Sequence, residues 1–106
     1  MSWSDEYKEP ATYIQLTGTA NDQSEDLPWR HGTYARKSRC IDIYVQGGDA
    51  RMAWNSSSGS ATTFLAAGQR YKYLLPWSST GTTIHYRNNV ANTESKLHVQ
   101  VYYEFT

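Results

Sequence analysis

Between Lys96 and Phe105 the chain alternates without interruption. Leu97, Val99, Val101, Tyr103 and Phe105 fall on one side, and Lys96, His98, Gln100, Tyr102 and Glu104 on the other. Successive side chains on a β-strand point to opposite faces, so this pattern describes a strand with one face in a core and one in water. A helix would spread the same apolar residues around its whole circumference. Arg39 to Gln46 repeats the pattern, with Ile41, Ile43 and Val45 opposed to Asp42, Tyr44 and Gln46. The two aliphatic rows are expected to face one core, close to each other.

Shorter stretches follow the same rule. Thr12 to Thr17 sets Ile14 and Leu16 against Tyr13 and Gln15, and Ala50 to Asn55 turns Met52 and Trp54 inward. Thr62 to Leu65 is a short strand. Arg70 to Leu75 aligns Tyr71, Tyr73 and Leu75, and Thr82 to Arg87 aligns Ile84 and Tyr86 against His85 and Arg87. Clusters of Gly, Ser and Asn separate these runs, and Gly47-Gly48-Asp49 reads as a hairpin turn. No window holds a helical period and no segment repeats. The sequence therefore predicts an all-β chain, a single antiparallel β-sandwich or jelly roll of roughly seven to eight strands.

At 106 residues the chain has the size of one domain. It can bury roughly two thirds of the surface that its unfolded form exposes, enough for a core without disulfide or metal support. Residues 11–106 are expected to form that domain. Residues 1–10, polar but carrying Trp3 and Tyr7 and ending at Pro10, read as an extended N-terminal arm. Residues 18–38 mix Gly, Asn, Asp, Ser, Pro and charge with no apolar period, and read as a long loop of functional rather than connecting character.

The chemistry-bearing residues are sparse. Ten basic and ten acidic side chains leave a formal net charge of zero, which makes nucleic acid an unlikely partner and offers nothing to a charged membrane surface. No run approaches the ~20 apolar residues of a membrane span, and the first residues lack the basic and apolar regions of a secretory signal. Cys40 is the single cysteine, so no intrachain disulfide forms. His31, His85 and His98 lack the Cys or acidic spacing of a metal site, and no metal or cofactor is expected. There is no Gly-x-Ser-x-Gly elbow. Asp5-Glu6 and Glu25-Asp26 read as solvated charge, and Gly47-Gly48 precedes a strand rather than the helix of a phosphate cradle. Asn55-Ser56-Ser57 matches a glycosylation acceptor only formally. No catalytic residues are expected, and the chain reads as a non-enzyme.

The aromatic content is where partners enter. Four Trp and nine Tyr stand against two Phe. Tyr and Trp join an apolar body to a polar tip and suit interfaces. Trp29 and Trp77 follow prolines outside the strands, while Trp54 falls on a core face. With the arm aromatics and a basic run, the candidate protein-interface residues are Trp3, Tyr7, Trp29, Arg30, Arg36, Lys37 and Trp77.

Ile41-Asp-Ile-Tyr-Val-Gln-Gly-Gly-Asp-Ala50, then Leu65-Ala-Ala-Gly68, then Lys96-Leu-His-Val-Gln-Val-Tyr-Tyr-Glu-Phe105 resemble small bacteriophage virion accessory proteins. These are head-decoration, head-fibre and tail-adaptor domains with β-sandwich or jelly-roll cores. The resemblance covers about two thirds of the chain in style, without a specific motif. It implies a non-enzymatic structural protein made in the host cytoplasm and carried on the virion. It also implies a homo-oligomer that binds a capsid or tail lattice; the arm and the long loop, which has no counterpart in that family, are the segments expected to make the contacts. The alternative is a carbohydrate-binding module or lectin-like domain with Tyr44, Tyr102, Trp29 or Trp77 as stacking platforms. The position of the aromatics separates the two. An exposed, near-coplanar pair beside polar groups favours sugar, and aromatics covered only by neighbouring chains favour assembly.

Overall fold

The computed structural model describes residues 10–27, 30–31, 36–54, 63–74 and 82–103. Among them are nine strands and no helix: β1 (Pro10–Thr17), β2 (Gln23–Leu27), β3 (Arg30–His31), β4 (Arg36–Gly47), β5 (Ala50–Trp54), β6 (Thr63–Leu65), β7 (Arg70–Leu74), β8 (Thr82–Asn88) and β9 (Ser95–Tyr103). They form two antiparallel sheets. The larger has the order β1-β9-β4-β3, with β7 also paired to β4, and the smaller has the order β2-β8-β5-β6. The fold is a β-sandwich, as the alternation predicts.

The two longest alternating runs, β4 and β9, are partners at the centre of the larger sheet. Ile41 lies opposite Val101, Ile43 opposite Val99 and Val45 opposite Leu97. All six are fully buried. From the smaller sheet Leu27, Ala50, Met52, Leu65, Ile84 and Tyr86 close over them, and Trp54, Tyr71 and Tyr73 pack at the margin. Each buried aliphatic side chain contributes roughly 1.5–3 kcal/mol, so the three facing pairs are the main source of cohesion.

The segment 18–38 is not one long loop. Gln23–Leu27 is an edge strand paired with β8, with Gln23 opposite Tyr86 and Leu27 opposite Thr82. Its inward positions explain why periodicity does not reveal it: only Leu27 is buried, Gln23 is half-buried and Glu25 is exposed. An edge strand over the sandwich margin needs few apolar residues, and acidic side chains there discourage pairing with another chain. Strand β4 starts at Arg36 rather than Arg39, and Arg36 and Lys37 pair with His31 and Arg30. Strand β1 starts at Pro10, the last residue assigned to the arm; residues 1–9 lie outside the described residues.

A buried polar clasp links the sheets where β8 leads into β9. Asn88 Oδ1 accepts from the Ser95 amide at 2.9 Å and the Ser95 hydroxyl at 2.7 Å. The Asn88 amide donates to Thr19 O at 2.8 Å, and the Gly18 amide to Ser95 O at 2.8 Å. A Cβ on Gly18 would stand 2.3 Å from Ser95 Oγ and 2.4 Å from Asn88 Oδ1, so only glycine fits. The β4–β5 hairpin uses Gly47 at φ 84°, a conformation that other residues adopt reluctantly.

Candidate binding face on the larger sheet

The outward side of β1, β9, β4 and β7 carries a continuous polar and aromatic surface. Register sets its rows. Gln15, His98, Tyr44 and Arg70 face one another across the four strands, and Tyr13, Gln100, Asp42 and Lys72 form the adjoining row. Tyr13, Asp42, Tyr44, Arg70, His98 and Gln100 line an open depression of about 120 Å³. Residues from four separate parts of the chain thus meet because of strand order.

Two tyrosines flank its centre, Tyr13 at 55 % exposure and Tyr44 at 37 %. His98 lies between them, with ring centroids 6.0 Å from each and interplanar angles of 17° to Tyr13 and 29° to Tyr44. Hydrogen bonds fix the imidazole at both nitrogens: Nδ1 is 2.5 Å from the Tyr13 hydroxyl and Nε2 is 2.9 Å from Gln46 Oε1. An amide oxygen only accepts, so Nε2 donates to Gln46, and the second hydrogen bond is shared between Nδ1 and the Tyr13 hydroxyl. The three rings form a fixed stack of which Tyr13 is the most exposed member.

The polar half is built on Asp42, whose side chain is only 7 % exposed. Its Oδ2 accepts from Arg70 Nη1 at 3.0 Å. Its Oδ1 is buried without a hydrogen-bond partner among the described residues. Arg70 is itself 59 % exposed, and its guanidinium carbon sits 5.8 Å from the centre of the Tyr44 ring. This joins the charged pair to the aromatic platform. In the next row Tyr102 donates to Gln100 Oε1 at 2.9 Å. Burial raises the Tyr102 phenol above its ordinary range; Asp42 and Cys40 add to that and Arg70 opposes it. Cys40, opposite Tyr102, is fully buried, and burial followed by the charge of Asp42 raises its thiol to about 11. It is a packed side chain and a poor nucleophile.

Of the residues singled out from sequence, Tyr44 lies at the heart of the depression and Tyr102 on the same face beside it. Trp3, Tyr7, Trp29 and Trp77 fall outside the described residues. Arg30, Arg36 and Lys37 are placed by backbone pairing alone. His98 reads from sequence as a solvated strand residue, yet it sits between two aromatic rings. His85 is far from it in role, lying on the outer side of the other sheet, 2.9 Å from Asp22. Tyr13, Asp42, Arg70, His98 and Gln100 were not legible as a group. Each occupies the polar side of an alternating strand, and only the strand order makes that shared parity a site. Among the described residues no three His, Cys, Asp or Glu side chains are grouped to hold a metal ion.

No protein-family model matches the chain, and no curated protein is detectably similar to it.

Proposed function

We propose that the protein is a non-catalytic carbohydrate-binding domain and that the outer face of β1, β9, β4 and β7 is its binding surface. The observation that supports this reading is the pairing of exposed Tyr13 and Tyr44 around His98 with Asp42, Arg70 and Gln100 in one depression. A pyranose ring offers apolar C–H faces and a rim of hydroxyls. Flat aromatic rings accommodate the first, and fixed carboxylate, guanidinium and amide groups orient the second. Cross-strand packing of Tyr13, His98 and Tyr44 also stabilises the sheet; what favours binding is that this packing stands beside Asp42 and Arg70 in one depression. The test is a glycan array followed by calorimetric titration of the strongest hit. Tyr44→Ala and Tyr13→Ala should each weaken binding about tenfold or more, equivalent to roughly 1.4 kcal/mol, with an unchanged melting curve. Unaltered affinity in both variants would remove this face from consideration.

A second reading, a virion accessory protein attached to a capsid or tail lattice, is favoured by a different observation. The hairpin of β3 and β4 sets Arg30 opposite Lys37 and His31 opposite Arg36. It gathers basic positions beyond the last β9 partner of β4, Ser38 opposite Tyr103. The two readings are compatible, since a shallow sugar site gains greatly when a particle displays many copies.

A further inference from the structure

We infer that the depression recognises a neutral sugar unit through two adjacent hydroxyls, one donating to Asp42 Oδ1 and its neighbour accepting from Arg70. This rests on the proposed carbohydrate-binding role of the face and specifies the ligand. Asp42 is the best-buried charged side chain lining the depression, and Arg70 satisfies only one of its oxygens. A buried carboxylate oxygen without a donor is costly, and the cost is relieved when a ligand supplies one. Ionised carboxylates accept and never donate, so the ligand group at Oδ1 must carry an O–H or N–H. Arg70 has five donors and no acceptor; with Nη1 on Asp42, its remaining donors face solvent and can pair only with an acceptor on a ligand. A pair of neighbouring hydroxyls provides donor and acceptor side by side. Arg70 is 59 % exposed on a flexible stem, so its guanidinium can turn to admit the hydroxyl while keeping its bond to Oδ2. It would still lie over Tyr44 and hold that ring in the site, while the sugar's apolar face meets Tyr13, the more exposed ring.

Charge narrows the class. The Asp42–Arg70 pair carries no net charge. A uronic acid carboxylate or an amino sugar therefore meets one attraction and one repulsion there, and gains nothing net against the loss of its own hydration. Neutral hydroxyls lose less hydration.

The experiment titrates the intact protein with hexamers of matched length: cellohexaose, mannohexaose, maltohexaose and xylohexaose as neutral probes, a galacturonate hexamer as the acidic probe and a chitosan hexamer as the amino probe. At least one neutral hexamer should bind about tenfold or more tighter than both charged ones. Asp42→Asn and Arg70→Gln should each weaken it by a similar factor, the worth of one hydrogen bond to a charged group. Arg70 is exposed, so its variant reports even if Asp42→Asn unfolds. If a charged hexamer binds best and Tyr44→Ala abolishes it, the face binds glycans but the neutral-diol assignment is overturned. The assignment is equally overturned if both charge variants keep full affinity while Tyr44→Ala loses it. If no hexamer binds, or Tyr44→Ala changes nothing, the carbohydrate reading itself falls and takes the assignment with it.

Discussion

Cys40 shares the outward parity of Asp42 and Tyr44 but is completely covered. Its burial makes the fold sensitive to alkali. The thiol rises from its ordinary 9.0 to about 11 in the folded protein, so between those values the folded chain holds a proton that the unfolded chain releases. Stability is therefore complete below pH 9 and declines as pH rises toward 11, by about 2 kcal/mol at pH 11. Burial also raises the phenols of Tyr73, Tyr86 and Tyr103, which steepens the loss at higher pH. Urea melts from pH 7.5 to 10.5 should show the decline, and Cys40→Ala should flatten its first part. A wild-type curve that stays level to pH 10.5 would show the thiol to be accessible.

Strands differ in how openly they announce themselves. The β4 and β9 strands are legible because both flank a fully buried row, so alternation is complete; the register of Ile43 with Val99 then follows from shared burial. The central position of Val99, between Ile14 and Ile43, makes it the most exacting test of that pairing. Val99→Asp exchanges roughly 2 kcal/mol of apolar burial for an unpaired interior charge costing several more. Against the 5–15 kcal/mol typical of a domain, cooperative unfolding should disappear. Val90→Asp, at a position 57 % exposed, should melt as wild type, within about 0.5 kcal/mol. A folded Val99→Asp protein would mean that the row does not face a closed core. The β2 strand stayed hidden for the opposite reason: a margin strand with Glu25 exposed on its inward side has no period to read. The candidate face was illegible at this scale as well. Asp42, Tyr44, Arg70 and His98 look like ordinary outward residues until β7 and β9 are known to flank β4.

Seen whole, the sandwich has two outer faces of different character. The larger sheet presents the tyrosine–histidine platform. The smaller presents Arg51, bonded through Nε to Asn89 Oδ1 at 2.8 Å, and His85 beside Asp22. The described strands alone supply a contiguous core running from Leu16 to Tyr103. Deleting residues 1–9 together with Trp29→Ala should therefore leave a cooperative melt intact while abolishing any self-association seen by sedimentation, if lattice attachment uses these segments. A variant that associates as before would exclude them, and one that fails to fold would make them covers of the core. The pairing of the first described strand with the last has a mechanical consequence. Pro10 lies opposite Tyr102, and the ladder runs on to Thr17 opposite Lys96. A load applied across these two neighbouring ends falls on one backbone bond at a time, beginning at Pro10, instead of on all of them together. Under tension the sandwich peels open from that corner at low force, and the β1 strand leaves before the β4–β9 pair is disturbed.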